Sequence, residues 1–363
     1  MSIPASHAAS WDQADFRERV QRALDEFVDE QQQRLAPLGD DAARLLEEAR
    51  VSVKGGKRLR AAFCQWGYRA VDPTPGGDEA RALLRACASL ELLHASALVH
   101  DDYMDASDTR RGRPTTHRTF AARHRGSAWS GRSEQYGAAA AILLGDLVLS
   151  WADELLRRCG LPLDRVEPAL AVFDLTRSEV IAGQFMDVSV QARGAADVDA
   201  AMTVLRYKSA KYSVERPLHV GAALAGASPE VVADLAAFGL PLGEAFQLRD
   251  DLLGVFGDPT TTGKPAGDDL VEGKRTVLVA LALDAAPPAA ARLLDDSLGH
   301  PLDDAAVARL RDIIDSSGAR AQVEQVIDRL SALALSALDR ARIDDGARSV
   351  LRDLAAATTQ RAG

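Results

Sequence analysis

Helical periodicity is the feature of this sequence that most constrains its fold. In Trp11–Leu35, the apolar residues Phe16, Val20, Leu24 and Phe27 recur at helical spacing with charged residues between them. Comparable patterns predict further helices over Ala80–Asp105, Glu134–Cys159, Asp164–Gln191, Asp197–Ala225, Pro229–Leu253, Thr276–Asp284, Asp303–Ser316 and Ala319–Arg342. Alternating apolar and polar stretches bounded by hairpin turns, which would indicate β-strands, are not recognisable. The sequence therefore predicts an all-α protein.

The predicted connectors between these helices bear on domain number. Short ones are expected at Asp72–Gly77, Arg125–Gly131, Arg193–Ala196 and Ala285–Ala289. Because these linkers are short, we expect one domain over residues 1–363, although this length would also permit two. Gly257–Arg275 differs, since it is long and rich in Gly, Pro, Thr and charged residues. Long loops in compact domains are often functional.

Charge and cysteine content narrow the class of protein. The chain has 43 Lys+Arg against 53 Asp+Glu and a net charge of −10, which argues against nucleic acid as a partner. Cys64, Cys87 and Cys159 are widely spaced and suggest neither a disulfide framework nor a zinc site. No secretory signal is recognisable, and the apolar stretch Ala138–Leu149 is shorter than the roughly 20 residues of a membrane-spanning helix. We therefore expect a cytoplasmic protein without a membrane span.

The first chemically informative cluster is acidic and lies at the end of a predicted helix. Asp101 and Asp105 are four residues apart, so their side chains lie about 40° apart around the helix, with Asp102 about 100° away. Like charges at this spacing oppose ionisation unless a cation neutralises them. Oxygen ligands without His or Cys favour Mg²⁺, which often bridges carboxylates to substrate phosphates. A solvated acidic helix end is the alternative interpretation.

A second acidic cluster has the same helical character. Gln247, Asp250 and Asp251 are spaced i, i+3 and i+4 and share one face within an otherwise apolar stretch, Phe246–Gly254. Two such clusters in one chain make a solvated surface a weaker explanation. If they face each other across a cavity, they could hold two or three Mg²⁺ ions.

Cations accompany both acidic clusters. Gly55–Arg60 places three cations beside two glycines, and Arg110, Arg111 and Arg113 follow the first acidic cluster. Further cations are Lys208 and Lys211 in a predicted helix, and Lys264, Lys274 and Arg275 in or at the end of the long connector. Arg suits bidentate phosphate contacts, whereas Lys acts as a point charge. Any one of them alone would be interpreted as a solvated surface cation, but together with Mg²⁺-type carboxylates they favour a diphosphate substrate.

In these motifs the chain resembles trans-isoprenyl diphosphate synthases, the polyprenyl synthetase family. The first aspartate-rich motif of that family matches Asp101–Asp105 and continues into Arg110-Arg111-Gly112, and its glycine–lysine–arginine motif matches Gly55–Arg60. The second aspartate-rich motif resembles Phe246–Gly254, and the lysine-bearing loop resembles Gly263–Thr276. Gly183-Gln184 and Lys208-Ser209 match further positions, with Ser where Thr is common. The matches run in order from about residue 54 to residue 280. Gly254 departs from the pattern, because the family usually has a third Asp there.

The resemblance implies a single large helical bundle of the isoprenoid synthase type, with a central active-site cavity, and a homodimer. It implies a Mg²⁺-dependent, head-to-tail condensation of isopentenyl diphosphate with an allylic diphosphate. Mg²⁺ and the allylic diphosphate would be bound by Asp101, Asp102 and Asp105, and the remaining metal ion by Asp250 and Asp251. Contacts with the allylic diphosphate are implied for Arg110, Lys208 and Lys264, with Lys274 nearby. Isopentenyl diphosphate would be bound by Lys57, Arg60, His94 and Arg111, and the reaction centre lined by Gln184 and Gln247.

Product length would depend on the helix before the first acidic motif. In this family that helix forms the floor of the chain tunnel, and the nearest positions here, Ser96 and Ala97, are small. One helical turn rises about 5.4 Å, comparable to one isoprene unit, so small residues should admit at least one extra unit. Leu93 and Leu90 on the next turn could stop growth. We therefore predict a geranylgeranyl (C20) product; Ser96 and Ala97 could alternatively serve only close helix packing.

Other functions stay open on the sequence alone. Longer products of C25 or more are one alternative, and a non-catalytic regulatory subunit, suggested by Gly254, is another. A class I terpene cyclase would also ionise a diphosphate with Mg²⁺. Its second metal motif would need Ser or Thr and then Glu after Asp250, where this chain has Gly254 and Asp258. A cyclase or an acidic scaffold would also leave Gly55–Arg60 unexplained.

Overall fold

The computed structural model describes residues 11–194, 197–257 and 267–359. In these ranges the chain is dominated by helices, and its strands are limited to β1 (Thr109–Arg110) and β2 (Arg113–Pro114). The two strands form a small antiparallel hairpin in which Arg110 pairs with Arg113. The prediction of an all-α protein is confirmed.

The helices up to the centre of the chain are α1 (Gln13–Leu35), a 3₁₀ turn (Ala36–Leu38), α2 (Asp40–Ser52), α3 (Leu59–Arg69), α4 (Gly77–Met104), α5 (Thr116–Gly126), α6 (Ser133–Arg157) and α7 (Leu163–Arg193). They are followed by α8 (Val198–Leu205), a π-helix (Arg206–Glu215), α9 (Arg216–Leu224), α10 (Pro229–Phe256), α11 (Asp268–Val271), α12 (Val277–Ala285), α13 (Pro288–Ser297), α14 (Asp304–Ser316), α15 (Ala319–Arg340) and α16 (Asp345–Thr359).

The long amphipathic helices lie where the periodicity predicts them, and the differences have physical causes. The segment Asp197–Ala225, predicted as one helix, runs through α8, the π-helix and α9. The sequence analysis did not predict α2, α3, α5, α13 or α16. In α3, every residue from Ala61 to Tyr68 is buried, so this helix has no polar face to give a periodic signal. The predicted connector Gly257–Arg275 contains the short helix α11.

Two apolar clusters form the core of the described chain. One centres on α3, α4, α6 and α9, and the other on α12, α14 and α15. The long helix α10 contributes to both, with Phe238 and Leu242 in the first and Leu248 and Leu252 in the second. Its first half is therefore packed in one cluster, and its second half, which includes Asp250 and Asp251, is packed in the other.

Small residues allow the central helices to approach to backbone contact. A Cβ on Gly67 of α3 would lie 2.2 Å from the carbonyl oxygen of Leu218 in α9. Conversely, a Cβ on Gly221 of α9 would lie 1.9 Å from the carbonyl oxygen of Cys64 in α3. Either contact is shorter than packed atoms tolerate. The pair α3–α9 therefore requires glycine at both positions.

Two helices are long and apolar enough, by length and composition alone, to cross a membrane. They are α4 and α10, both longer apolar stretches than Ala138–Leu149. In the structure 72% of the apolar window of α4 and 50% of that of α10 are buried inside the protein. Core helices of soluble proteins pass the same test.

Candidate active site

The first acidic cluster lies at the C-terminal end of α4, where each carboxylate has a cationic or amide partner. The β1–β2 hairpin returns Arg110 towards α4, so that its Nε and Nη2 both lie 2.6 Å from Oδ1 of Asp102. Asp101 Oδ1 accepts a hydrogen bond of 3.0 Å from Gln184 Nε2 on α7 and lies 3.4 Å from Lys208 Nζ. Asp105 is the C-terminal cap of α4. The cluster is thus fixed by α7, the π-helix and the hairpin together.

Two lysine ammonium groups lie between carboxylates. Lys208 Nζ is 2.6 Å from Asp187 Oδ2 as well as 3.4 Å from Asp101. Lys274 Nζ is 2.5 Å from Glu272, 3.4 Å from Asp269 and 3.6 Å from Asp105. Burial alone would lower the pKa of each lysine, but the surrounding carboxylates outweigh it and raise both. The site therefore holds positive charge at places where carboxylates converge.

The second acidic cluster occupies one face of α10, as its spacing predicts. Gln247 Nε2 donates a 2.8 Å hydrogen bond to Asp251 Oδ1, and Asp251 is buried. Burial, together with the charges of Asp269 and Asp250, raises the pKa of Asp251 to about 7. Burial and the charge of Asp101 likewise raise the pKa of Asp105 to about 6.

This donor set fits Mg²⁺. Crowded, partly buried carboxylates with raised pKa values are the kind of site that a divalent cation stabilises, and carboxylate oxygens are its preferred ligands. In the three described ranges, no three acidic, His or Cys side chains are already arranged around one ion. Lysines partner Asp101 and Asp105 instead, so a metal ion would have to replace ammonium groups there.

A cavity of about 1330 Å³ connects the two acidic clusters with an apolar interior. The predicted residues that line it are Lys57, Arg60, Leu93, His94, Ser96, Ala97, Asp101, Arg110, Arg111, Gln184, Lys208, Gln247, Asp250, Asp251 and Lys274. Asp102 and Asp105 are not part of this lining; they contact Arg110 and Lys274, which are. Leu90 is buried in the core outside the lining. Lys264 lies outside the described residues.

The apolar part of the cavity lies between α4, α6 and α7. Ser96 Oγ donates a 2.8 Å hydrogen bond to the carbonyl of Gly145, and His100 lies 3.3 Å from the carbonyl of Ile142. Going along α4 from Ser96 to His100, the contacted residue on α6 moves back from Gly145 to Ile142, so the two helices are antiparallel here. Leu93 on α4 is therefore level with Leu149 on α6, and both line the cavity.

A cationic group on the other side of the cavity is organised by Tyr212 of the π-helix. The Arg60 guanidinium carbon lies 4.1 Å from the centre of the Tyr212 ring, and Arg60 Nη2 donates a 2.7 Å hydrogen bond to Ser213 Oγ. The Tyr212 hydroxyl lies 2.9 Å from His94 Nδ1. Burial and the charges of Arg60 and Arg111 hold the pKa of His94 well below its usual range. His94 is therefore neutral at pH 7.

The glycine-rich segment before α3 is held by two arginines with different roles. Arg58 points inward, where it bonds to Glu91 at 3.2 Å and to the carbonyl of Val53 at 2.5 Å. Arg111 Nη1 donates a 2.8 Å hydrogen bond to the carbonyl of Lys54. A Cβ on Gly56, whose φ is +90°, would lie 3.1 Å from Arg111 Nη2. Glycine there lets Arg111 approach the loop that contains Lys57.

Several site residues were not singled out from the sequence. Asp187 partners Lys208, and Tyr212 contacts both Arg60 and His94. Their signal was present as spacing, because Asp187 follows Gln184 by three residues and Tyr212 follows Lys208 by four. Asp269 and Glu272 had no periodic signal, since they lie in the predicted connector. Conversely, Lys211 is ion-paired with Glu179 at 2.7 Å and is not part of the cavity lining.

Comparison with known proteins shows the family of the chain. Residues 43–316 match the family model described as Polyprenyl synthetase. The chain is 34% identical over 269 residues to a geranylfarnesyl diphosphate synthase of Aeropyrum pernix, covering 73% of this chain and 77% of that one. It is 35% identical over 263 residues to a geranylgeranyl diphosphate synthase of Saccharolobus solfataricus, covering 71% and 72%.

A solved structure is similar over nearly the whole chain. It is a geranylgeranyl pyrophosphate synthase from Corynebacterium glutamicum complexed with isoprenyl diphosphate and magnesium, with a TM-score of 0.94, 40% identity and coverage of 97% of this chain and 100% of that one. Family model, curated relatives and solved structure all name prenyl diphosphate synthases or their family. The chain therefore belongs to the polyprenyl synthetase family and is a trans-prenyltransferase.

Proposed function

We propose that this chain condenses isopentenyl diphosphate with an allylic diphosphate, head to tail and with Mg²⁺, to form mainly geranylgeranyl diphosphate. One observation supports this above all: a single cavity has carboxylates and cations at one end and an apolar interior at the other. The polar end suits two diphosphate groups, and the apolar part suits a growing hydrocarbon chain.

The residues that would hold two or three Mg²⁺ ions are Asp101, Asp102 and Asp105 on α4 and Asp250 and Asp251 on α10. Bound Mg²⁺ stabilises the negative charge that develops on a diphosphate leaving group. Arg110, Lys208 and Lys274 would add fixed positive charge beside the same group, and Lys264 is a further candidate. Lys208 and Lys274 are also held by Asp187 and Glu272, which are not among the proposed Mg²⁺ ligands, so both lysines would keep an ion pair near the leaving group when a metal ion replaces them at Asp101 and Asp105.

The second substrate would bind on the opposite side of the cavity. Lys57, Arg60 and Arg111 would contact its diphosphate, and neutral His94 would donate a hydrogen bond from Nε2, because Nδ1 faces the Tyr212 hydroxyl. Gln184 and Gln247 would line the space between the substrates. The double bond attacks the allylic cation, and the released diphosphate accepts the proton that is lost. A water-poor cavity protects the cation from hydrolysis.

The apolar residues of the cavity are the basis for the C20 product. Ser96 and Ala97 are small side chains in the turns below Asp101, whereas the larger Leu93 and Leu149 line the cavity at a deeper level. Leu93 lies eight residues, or about 12 Å, along α4 from Asp101. We propose that the product chain ends against Leu93 and Leu149, and that Leu90 supports Leu93 from the core.

Product analysis tests this proposal. Purified protein is incubated with Mg²⁺, isopentenyl diphosphate and, separately, dimethylallyl, geranyl or farnesyl diphosphate, and the products are separated by chain length. We expect C20 to accumulate with each starter. Accumulation of C25 or longer products would retain the reaction but contradict the floor at Leu93 and Leu149. Failure to extend any starter would contradict the proposed function.

We further propose a cytoplasmic homodimer of single-domain chains. The participation of α10 in both apolar clusters supports one domain. An exposed apolar face on α6 and α7 supports self-association, with Leu143 60%, Ile181 56% and Phe185 72% exposed. Faces of this kind mark interaction sites. Light scattering should show a dimer for the wild type and a monomer for Phe185→Asp combined with Leu143→Asp, whereas Leu38→Asp, at another exposed apolar residue, should remain dimeric.

A further inference from the structure

Arg58 lies between two cations proposed to bind a diphosphate, but its own guanidinium group is bound within the protein. Its backbone is left-handed, with a φ of +55°, which residues other than glycine rarely adopt. Nη2 of Arg58 donates to the carbonyl oxygen of Val53 and to Gln21 Oε1, each at 2.5 Å. Nη1 donates to Glu91 Oε2 at 3.2 Å. Arg58 borders the cavity, yet its donors are used to hold the loop.

Glu91 on α4 contacts both Arg58 and the start of α3. Its Oε2 faces the Arg58 guanidinium, and its Oε1 accepts a 3.1 Å hydrogen bond from the backbone nitrogen of Ala61. Ala61 is the third residue of α3, and the N–H groups of a first helical turn lack partners within their helix. A side chain at the N-cap usually accepts from this position, but the N-cap residue here is Arg58, which has donors only. Glu91 therefore caps α3 from a different helix.

Burial of this pair calls for a reason other than stability. The side chains of Arg58 and Glu91 are 5% and 4% exposed. Removing two charges from water is costly, so a buried ion pair adds little net stability over an apolar pair of similar size. Its location suggests a positional role. Glu91 precedes His94 by three residues, which places both on one face of the helix that ends in the first acidic cluster.

We propose that Glu91 is a positioning residue for the second substrate. Through Arg58 and the first turn of α3, Glu91 fixes Lys57 and Arg60 relative to His94. The inference rests on the proposed binding of isopentenyl diphosphate on this side of the cavity. Glu91 itself does not contact that substrate, because both of its carboxylate oxygens are engaged by the protein. Without Glu91, the loop is free to leave its left-handed turn, and the cations no longer converge on one diphosphate.

Steady-state kinetics of the full chain test this role. Farnesyl diphosphate is kept saturating, isopentenyl diphosphate is varied, and the temperature is kept well below the Tm of every variant. Glu91→Gln preserves the shape of the side chain but replaces one acceptor oxygen by a donor, which then faces Arg58 or the Ala61 N–H. We expect the KM for isopentenyl diphosphate to rise about tenfold, because small displacements of positioned groups have effects of this order. The kcat and the KM for farnesyl diphosphate should be unchanged, as for a loss of uniform binding.

Glu79→Gln is the matched control, because it makes the same change on the same helix. Glu79 Oε1 lies 2.6 Å from Arg165 Nη1, and this ion pair is outside the cavity lining. Both variants should lower Tm, but Glu79→Gln should keep the wild-type KM for isopentenyl diphosphate. A KM that is the same in Glu91→Gln and Glu79→Gln would overturn the inference.

A double variant separates positioning from folding. Arg58→Met combined with Glu91→Gln leaves no unpaired charge buried, so it should recover part of the Tm that each single variant loses. Its KM for isopentenyl diphosphate should be no higher than that of Arg58→Met alone, because the two residues act through one contact. Increases in KM that multiply in the double variant would contradict this. A wild-type protein that consumes isopentenyl diphosphate with none of the starters would instead contradict the proposed function.

Discussion

At the scale of single residues, Tyr212 shows how one side chain can organise two others. Its ring lies under Arg60 and its hydroxyl faces His94, while its own side chain is almost completely buried. Sequence patterns indicated Arg60 and His94 because a glycine-rich motif and a helix face mark them. The spacing of Tyr212 four residues after Lys208 places it on the same helix face, but it could not indicate the contacts with Arg60 and His94, which join segments more than 100 residues apart.

Substitution of Tyr212 should affect one substrate more than the other. Tyr212→Phe removes the hydrogen bond to His94 but keeps the ring beneath Arg60. We expect the KM for isopentenyl diphosphate to rise about fivefold, as for loss of a hydrogen bond of about 1 kcal/mol, with little change in the KM for the allylic substrate. Tyr212→Leu, which also removes the ring, should raise the KM for isopentenyl diphosphate further. Steady-state kinetics with each substrate varied separately would show this, and equal changes in both KM values would contradict it.

Ala97 offers a test of chain length at the same scale. Ala97→Phe places a ring in the cavity one turn below Asp101. We expect products to shift from C20 to C15, because the ring fills the space of the last isoprene unit. Ala97→Ser, a small substitution at the same position, should keep the wild-type product. An unchanged C20 product from Ala97→Phe would show that the chain follows another wall of the cavity.

At the scale of elements, the π-helix is packed against α7 and α10 through glycines. A Cβ on Gly183 of α7 would lie 2.4 Å from the backbone nitrogen of Lys208, and one on Gly243 of α10 would lie 2.4 Å from the carbonyl oxygen of Ala210. The periodicity of residues 197–225 predicts a helix, but it does not distinguish an α-helix from the π-helix found at Arg206–Glu215. The sequence therefore indicated that this segment contains Lys208 and Lys211, but not which of the two side chains lines the cavity.

Gly183→Ala tests this packing. The added methyl group must push the π-helix away, and overpacking of this kind costs about 1–3 kcal/mol. We expect a lower Tm and, because Lys208 moves with the backbone, a higher KM for the allylic diphosphate. Gly126→Ala is the control, since a Cβ at Gly126 on α5 meets no atom within 4 Å. A Gly183→Ala protein with wild-type Tm and kinetics would contradict the close contact.

At the scale of the whole molecule, a polar network joins four helices. Glu79 on α4 accepts hydrogen bonds of 2.6 Å from the Tyr68 hydroxyl on α3 and from Arg165 on α7. Arg165 also bonds to the carbonyl of Leu224 on α9 at 2.6 Å. Hydrogen bonds from Tyr68 and Arg165 lower the pKa of Glu79 below its ordinary value of 4.5.

This network predicts a pH-dependent contribution to stability. Because the pKa of Glu79 is lower in the folded state, its stabilising effect is complete above pH 4.5 and is lost as the pH falls through the folded-state value. We expect Glu79→Gln to lower Tm at pH 7, and the difference from the wild type to shrink below pH 4.5. Thermal scans from pH 7 to pH 3.5 would measure it, with Asp353→Asn as a surface control. A difference that stays constant with pH would contradict the role of the charge.

The same scale shows how far sequence reasoning reaches. Long amphipathic helices and paired acidic clusters were predictable, because helical spacing alone puts Asp105 on the face of Asp101, and both Asp250 and Asp251 on the face of Gln247. The helix α3, buried from Ala61 to Tyr68, and the close approach of Gly254 to Asp269 were not predictable. Neither depends on local spacing, since each arises from packing between distant segments.

The π-helix has a consequence for how the enzyme can diversify. Lys208 and Tyr212 lie about one turn apart on it. Lys208 lies beside Asp101 of the first acidic cluster, and Tyr212 lies beside Arg60, one of the cations proposed to bind the second substrate. With the substrates placed as proposed, one short backbone segment would set the separation of the two reacting partners. The proposed floor of the product chain lies elsewhere, on α4 and α6. Descendants of such a chain could change the length of their product through wall residues alone and leave the bond-forming geometry intact.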